Sequence, residues 1–392
     1  MRYDKLLFDL KQLKPGMKVL VRADLNISTS TEDLALDPRI QGTAPLIKAL
    51  LNKDIHVTLV THLGRPKVGY DAIYSTRRLV NVLEKVYNSE VVFNNNWPFA
   101  KKLHVKKAVV LTENVRFLQG ELNNDPEMAK QMVEGYDVFI LEAFATSHRM
   151  HASNYGVMNY CPSYLGPLFI EELKNVNRIK EFPEPRVAVV GGGKSASKLK
   201  FLVKLQENFQ AILLGGQMAS LFMEANGFYA GDNNFTPDML DVAREVYDIG
   251  QKGEKAKIIL PKDLWLISRA GDLSLKTVPL SQATGNVVDI GPMTAAYYDE
   301  IIKDAGSVLQ NGPMGVIENK RCFDGTRSVL KSIADSKADS LLGGGDTNSS
   351  IMRAGLERAN FGFVSTGGGA LLSAVTEGTC PALKKLEGVL CS

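Results

Sequence analysis

Three glycine triplets, Gly191-Gly192-Gly193, Gly343-Gly344-Gly345 and Gly367-Gly368-Gly369, each follow a short apolar run in the second half of the chain. A glycine-rich turn from strand to helix lets backbone N–H groups approach a phosphate, because no Cβ stands in the way. The first half has no such triplet. Its apolar runs end instead near Arg22, Arg65, Arg116 and Arg149, whose planar forks of donors grip small anions. One half is therefore expected to take a nucleotide, and the other a small phosphorylated or carboxylated substrate.

At 392 residues the chain is long for one core, and two α/β domains are the natural division. A net charge of +3 and the lack of a dense Lys/Arg block argue against a nucleic-acid partner. Cys161, Cys322, Cys380 and Cys391 form no Cys-x-x-Cys pair, so zinc, a redox dithiol and a disulfide framework are not expected, and a reducing cytoplasm fits. Met1 to Lys5 carries charge where a signal peptide needs an apolar run. No apolar stretch reaches the ~20 residues of a membrane span.

Strand and helix patterns alternate along both halves, which predicts parallel sheets with ligands outside the carboxyl ends of the strands. In the first half, strands are expected at 18–21, 56–60, 90–93, 108–111 and 138–141, and helices at 45–51, 77–87 and 126–134. In the second half, runs at 186–190, 212–214, 257–260, 287–290, 308–309, 341–342 and 362–364 are all assigned to one further sheet. The expected fold is α/β: two doubly wound, Rossmann-like domains joined by a helix, with a cleft between them. The boundaries read as 1–165 for the anion-binding domain, 166–182 for a connector ending before Pro183 and Pro185, and 183–375 for the nucleotide domain. A terminal helix or arm over about 376–392 is expected to return to the first domain.

Gly193-Lys194-Ser195 nearly completes a P-loop, but Ala188 stands where its first glycine belongs. Lys194 and Lys198 are four apart at a helix start, which predicts two ammonium groups on one face. At the positive end of a helix dipole that arrangement is unfavourable unless an anion sits between them; two solvated lysines are the plainer alternative. Asp346, after the second triplet, is read either as a helix cap or as a Mg²⁺ ligand, and the metal reading is preferred. In the first half, Asp24 and Asn26 share a side with Arg22. His62, Arg65, Arg116, His148, Arg149 and His151 complete a basic rim. Any one of these alone reads as a surface charge, but four strand tails of the same kind do not. No nucleophilic triad or paired carboxylates stand out. Val138 to Glu142 is read as a buried parallel strand.

At these residues the chain resembles the phosphoglycerate kinase family along nearly its whole length. The resemblance is carried by Val21 to Asn26, His62 to Pro66, Glu113 to Phe117, His148 to Ser153, Gly191 to Lys198, Asn311 to Val316 with Glu318, Gly343 to Thr347, and Thr366 to Gly369. It implies reversible, Mg²⁺-dependent phosphoryl transfer between ATP and 3-phosphoglycerate by a cytoplasmic, glycolytic monomer. It implies that Asp24, Asn26, Arg39, His62, Leu63, Gly64, Arg65, Arg116 and Arg149 bind phosphoglycerate. Lys194, Lys198, Asn311, Pro313, Glu318, Gly344, Gly345, Asp346 and Thr347 would bind nucleotide, with Asp346 on the metal and Glu318 on the ribose. Arg22 and Lys198 are assigned to clamp the moving phosphoryl group, with the N–H groups of Gly344-Gly345 and Gly368-Gly369 assisting. Ser197, Gln310, Glu142 and Ala145 stand where the family commonly has Asp, Trp, Asp and Gly. A P-loop NTPase is disfavoured by Ala188, and a dinucleotide-dependent dehydrogenase by the lack of Gly-x-Gly-x-x-Gly at either sheet's first helix. A non-catalytic binding protein would be expected to lose Arg22, Lys198 or Asp346, and all three are present.

Donor and acceptor on different domains must be brought in line, and like charges on facing rims would hold an empty cleft apart. Small-angle scattering should therefore show the radius of gyration falling most when both ligands are present. An unchanged radius in that mixture, with activity intact, would refute closure.

Overall fold

Short apolar runs separated by amphipathic segments build two six-stranded parallel sheets. The computed structural model describes residues 6–27, 34–98, 103–228, 231, 233–268, 270–278 and 285–391. The charged stretch Met1 to Lys5 lies outside them, as does Ser392. The chain divides into two units, Met1–Lys174 with Thr379–Ser392, and Asn175–Gly378. Among the described residues no helix is long and apolar enough to cross a membrane.

The first unit holds β1 (Lys18–Arg22), α1 (Pro38–Asn52), β2 (His56–Val60), α2 (Val80–Tyr87), β3 (Glu90–Asn94), β4 (Ala108–Thr112), α3 (Pro126–Val133), β5 (Val138–Leu141) and β6 (Ser163–Leu165). Strand order is β3-β4-β2-β1-β5-β6. The chain leaves β1 toward β2 on one side and later returns to pair β5 on the other. The crevice at that reversal is where a ligand fits such a sheet. The central strands β4 and β5 are buried along their whole length, as expected of strands covered on both faces. The sequence placed the first helix at Pro45. It begins instead at Pro38, with Asp37 as N-cap accepting from the Arg39 N–H at 2.9 Å, and Pro45 lies inside it. Proline favours a first helical turn, so two prolines seven residues apart give the same start signal.

α4 (Pro167–Asn177) carries the chain from the first unit into the second. The second unit then holds β7 (Arg186–Val190), α5 (Ala196–Leu205), β8 (Ala211–Leu214), α6 (Gly216–Ala225), α7 (Pro237–Gln251), β9 (Lys257–Ile259), β10 (Asp263–Ile267), β11 (Leu273–Thr277) and β12 (Asn286–Ile290). There follow α8 (Pro292–Lys303), β13 (Ser307–Asn311), α9 (Asp324–Asp335), β14 (Asp339–Gly343), α10 (Gly345–Arg353), β15 (Phe363–Ser365) and α11 (Gly369–Glu377). Its large sheet has the order β15-β14-β13-β7-β8-β9, with the reversal between β7 and β13.

The run at 287–290 does not join that sheet, as the sequence reading had it. It lies in β12, which pairs antiparallel with β10 in a separate three-stranded sheet, β11-β10-β12. A five-residue strand does not announce its partner. β11 itself is half-buried to exposed along its length, so it gives no clear apolar pattern. α12 (Pro381–Cys391) belongs to the first unit. There Ala382 N–H donates to the Ser147 carbonyl at 3.2 Å and the Lys385 ammonium lies 5.7 Å from the Tyr155 ring centroid.

Glu142 ends β5 beneath the start of α4. Its Oε1 accepts from the Leu168 N–H at 3.2 Å, and a Cβ on Gly166 would collide with its carboxylate. The residue is 2% exposed, and burial pushes its carboxyl up to about 8 against the backbone hydrogen bonds. A carboxyl raised on folding binds its proton in the folded state while the unfolded chain has lost it. Stability therefore falls as pH rises from the unfolded pKa toward about 8. Glu142→Gln keeps the acceptor and removes the titration. Melting followed across that window should lose much of its pH dependence, with a gain of a few degrees near pH 8. Parallel curves for the two proteins would show that Glu142 titrates normally.

Candidate functional site

In the first unit, the residues that follow β1, β2, β4 and β5 gather at the crevice. Arg22 is 2% exposed, and all three of its nitrogens are engaged. Nε donates to Ser153 Oγ at 3.1 Å, Nη1 donates to the Ala23 carbonyl, and Nη2 meets His62 Nδ1 at 3.1 Å. His62 is held well below its ordinary pKa by burial first, then by Arg22, Arg116 and Arg149. It is therefore neutral, and facing an arginine it accepts at Nδ1 and carries its proton on Nε2. Asp24 Oδ1 lies 4.0 Å from that Nδ1, and Asp24 Oδ2 lies 3.8 Å from Arg39 Nε.

Asn26 joins two of these loops. Its Oδ1 accepts from the Gly64 N–H at 2.7 Å, and its carbonyl accepts from Arg39 Nη1. Arg116 Nη1 donates to the Gly64 carbonyl. Gly64 has φ +62, and a Cβ there would run into Tyr74, so glycine is required at this turn. Arg149 Nε donates to His148 Nε2 at 3.0 Å. Arg65 is exposed on the rim. Burial and then Arg149 and Arg22 pull Arg116 down to about 10. Burial and then neighbouring Arg149 pull His148 and His151 to about 4. Such mutual depression is the signature of an uncompensated positive cluster that an anion would relieve. The structure thus brings together Arg22, Asp24, Asn26, Arg39, His62, Leu63, Gly64, Arg65, Arg116 and Arg149.

Two residues of this region were read only as part of a motif. The Glu113 carboxylate accepts from Ser75 Oγ at 2.7 Å, Thr76 N–H at 2.9 Å and Asn114 N–H at 2.7 Å. Asn114 Nδ2 donates to the Leu63 and Tyr74 carbonyls at 2.8 and 2.9 Å. Together they pin the loop that carries Leu63, Gly64 and Arg65. Only the folded chain shows this, since the contacts beyond the neighbouring residue span 37 to 51 residues of sequence.

In the second unit, the reversal between β7 and β13 brings the first triplet against Asn311-Gly312-Pro313. Gly191 N–H donates to the Asn311 carbonyl at 3.0 Å and Gly192 N–H to the Pro313 carbonyl at 2.6 Å. The Lys198 ammonium donates to the Gly191 carbonyl at 2.5 Å. A Cβ on Gly192 would lie 2.8 Å from Lys198 Nζ, and one on Gly312 would lie 3.1 Å from it. Glycine at those two positions, with φ +72 and +87, is what lets the ammonium lie flat against the loops.

Lys194 behaves differently from the expectation. α5 starts at Ala196, with Ser195 Oγ accepting from the Lys198 N–H at 3.2 Å as N-cap. Lys194 therefore precedes the helix, and the i,i+4 argument does not apply to it. Its ammonium donates to the Asn234 carbonyl at 2.6 Å and lies 4.8 Å from the Phe235 ring centroid. The two lysines do not share a helix face.

Asp346 is not the cap of α10. Gly344 is, with φ +118 and no side-chain bond, and Asp346 is exposed in the first turn. Thr347 is buried, and its Oγ1 accepts from the Gly312 N–H at 2.9 Å. Asn311 is buried with Nδ2 on the Gly343 carbonyl at 2.9 Å. Both hold the loops from below. The second and third triplets adjoin: a Cβ on Gly368 would lie 3.5 Å from Gly344 Cα, whereas Gly345 faces open space. A cavity of about 300 Å³ runs from Gly192 and Asp346 past Pro313 to Glu318, walled by Val287, Val288, Val316 and Ile317. The sequence reading missed that apolar wall, because Val288 reaches it only through the small antiparallel sheet, where its carbonyl accepts from the Val316 N–H at 2.8 Å. It also gave no role to Gly216 and Gln217, which line the same cavity. Glycine backbone from three loops and the apolar side chains of Val287, Val288, Val316 and Ile317 thus line one cavity.

Comparison with known proteins fits this geometry. Residues 10–378 match the family described as phosphoglycerate kinase. The chain is 36% identical over 378 residues to a phosphoglycerate kinase of Legionella pneumophila (strain Lens), covering 95% of each. It is 33% identical over 375 residues to that of Coxiella burnetii, covering 94% of this chain and 95% of the other. Among solved structures, phosphoglycerate kinase from Coxiella burnetii matches with TM-score 0.78 at 32% identity over 96% and 98% of the two chains. That from Pyrococcus horikoshii OT3 matches with TM-score 0.85 at 28% identity over 98% and 99%.

Burial lowers the Lys198 ammonium to about 8, partly offset by Asp346. A bound polyphosphate favours the charged form. Affinity for ADP should therefore fall as pH rises through about 8, and binding near that pH should take up protons. Calorimetry in buffers of unlike ionisation enthalpy measures both. Affinity flat across this range with no proton uptake would remove Lys198 from the phosphate contact.

Proposed function

The chain belongs to the phosphoglycerate kinase family, and on that premise we propose how its own residues divide the reaction. The enzyme is a phosphotransferase that moves a phosphoryl group reversibly between ATP and the carboxylate of 3-phosphoglycerate, giving 1,3-bisphosphoglycerate and ADP. The observation that carries the division is one chain with two unlike anion sites. One is a cluster of guanidinium groups whose pKa values are lowered by burial first and then by neighbouring arginines. The other is a glycine cradle around the half-buried Lys198 ammonium, beside a cavity walled in part by Val287, Val288, Val316 and Ile317.

The first unit takes 3-phosphoglycerate. Asp24, Asn26, Arg39, His62, Leu63, Gly64, Arg65, Arg116 and Arg149 form its site. The burial of Arg22, with every nitrogen engaged, supports a role in setting the field and orienting His62. The Arg39 side chain, 20% exposed, is the better placed of the two for direct contact. The second unit takes Mg-nucleotide. Lys198 and the N–H groups around Gly344, Gly345 and Gly368 receive the phosphates, and Asn311 and Thr347 hold those loops in shape. The cavity wall of Val287, Val288, Val316 and Ile317 receives the base, with Pro313 beside it and Glu318 at the ribose. Lys194 reaches phosphate only by leaving Asn234 and Phe235.

Asp346 suits Mg²⁺. No group of three or more His, Cys, Asp or Glu side chains that could hold a metal occurs among the described residues, and Mg²⁺ is commonly held by one or two carboxylates plus substrate phosphates and water. The ion, bound with the nucleotide, would neutralise phosphate charge. In the reaction, a carboxylate oxygen of 3-phosphoglycerate forms a bond to the γ-phosphorus as the bond to the β,γ-bridging oxygen breaks, and ADP leaves with that electron pair. No proton need move. The protein's part is to hold both ligands and meet the charge that spreads over the γ-oxygens. Loss of one well-placed donor costs about 3–4 kcal/mol of transition-state stabilisation. Because one chain supplies both sites, we take a single chain as the working unit. Cys161 and Cys322 are buried free thiols, which fits work in the cytoplasm.

A coupled assay with Mg-ATP and 3-phosphoglycerate tests the reading. The parent enzyme should turn over. Arg149→Ala should raise KM for 3-phosphoglycerate tenfold or more with KM for Mg-ATP nearly unchanged, as expected for lost uniform binding. Asp346→Asn should do the reverse at parental Tm, since it disturbs no cap. Equal losses for both substrates in either variant would contradict two dedicated sites.

A further inference from the structure

Behind the cationic cluster lies a carboxylate that the substrate reading leaves without a task. Glu121 is 1% exposed. Both its oxygens are taken by one residue: Oε1 accepts from the Ser153 hydroxyl at 2.7 Å and Oε2 from the Ser153 N–H at 2.9 Å. The same hydroxyl oxygen accepts from Arg22 Nε at 3.1 Å. The Glu121 carbonyl accepts from the Ala152 N–H at 2.9 Å, so the two loops are tied through backbone as well. The other groups facing the carboxylate are His151, with Nδ1 3.8 Å from Oε1, and Arg116.

A carboxylate is not buried this deeply without a cation to answer it. Burial raises the Glu121 carboxyl, and among the effects that pull it back the charge of Arg22 comes first, ahead of the Ser153 bonds and Arg116. Reciprocally, Glu121 comes before Asp24 among the charges that sustain Arg22. Yet the two do not pair directly, since a hydroxyl stands between them. A bidentate carboxylate would occupy two edges of the guanidinium. Through Ser153 only Nε is spent, and Nη1 and Nη2 remain on the Ala23 carbonyl and His62. The guanidinium is thus gripped from the protein interior while its other side keeps the orientation that fixes His62. Without that grip, repulsion from Arg116 would favour another rotamer.

We infer that Glu121, acting through the Ser153 hydroxyl, is the positioning residue that holds Arg22 in the phosphoglycerate site. The inference rests on reading this cluster as that site, and deepens it.

The test uses the full chain with Glu121→Gln, Ser153→Ala and the double variant, assayed with Mg-ATP and 3-phosphoglycerate, with Tm recorded for each. Gln removes the charge in nearly the same shape, and Ala cuts the link while leaving the charge. Each single change should lower kcat/KM for 3-phosphoglycerate about tenfold or more, with KM for Mg-ATP within about twofold of the parent. The double variant should lose no more than the worse single, because both changes cut one path. A purely structural role would instead lower Tm and affect both substrates alike. The inference is overturned if either folded single variant keeps kcat/KM for 3-phosphoglycerate within about twofold, or if the two losses multiply. Should Glu121→Gln fail to fold, Ser153→Ala decides alone. Arg149→Ala separates failure of the relay from failure of the site reading. Parental use of 3-phosphoglycerate by that variant would sink the site reading itself. Severe impairment there, beside near-parental Glu121 and Ser153 variants, would sink only the relay.

Discussion

Repulsion among Arg22, Arg65, Arg116 and Arg149 is the constraint around which the first unit is arranged. Unit charges 4 Å apart repel by about 4 kcal/mol at an effective dielectric near 20, so such a group persists only if its less exposed members are tied down. Arg22 is tied to Ser153, Ala23 and His62, Arg116 to Gly64, and Arg149 to His148. The ties run mostly to neutral acceptors, which orient the guanidinium groups without cancelling them. Asp24 and Glu121 supply limited counter-charge from within. The unoffset remainder is what makes the site attractive to a phosphate and a carboxylate together. His62 follows from the same constraint: surrounded by arginines it stays neutral and serves as an acceptor.

The second unit solves a different problem, close approach. Around Lys198 the backbone of three loops comes so near that side chains are excluded. A Cβ on Gly216 would lie 2.7 Å from the Gly192 nitrogen. Here one ammonium suffices, because N–H groups at turns and helix starts supply the rest of the positive potential. The contrast between the units is chemical. On the proposed reading, a small acceptor with two anionic ends would be gripped by directional forks, whereas a nucleotide chain of phosphates would be laid along backbone.

Much of this was legible in the residues. The strand tails with arginines and the glycine triplets name the two kinds of site, because only certain residue types can perform those tasks. What misled was local geometry that depends on partners. Lys194 and Lys198 look like a helical pair until the Ser195 cap sets the helix start at Ala196, two residues beyond Lys194. For Asp346 it is the alternative reading, a helix cap, that falls away, because Gly344 takes that place. Thr347 and Asn311 look like ligand contacts, and their side chains are spent on loops behind the surface. For Lys194 and Asp346 the cause is one: a side chain's role is set by where the element begins, and helix starts move by a residue or two without changing composition.

By itself the sequence determined the alternation of strand and helix, and the arginines of one half and glycine triplets of the other on which the proposed anion sites rest. Those depend on residue type and short spacing, which a chain carries with it. The tertiary structure alone decided that 286–290 leaves the large sheet to wall an apolar slot. It alone set Glu121, 99 residues after Arg22 in the chain, behind that arginine through Ser153. Pairing of distant strands and burial of distant charges are fixed by the packing of the whole unit. No window of sequence holds enough partners to specify them.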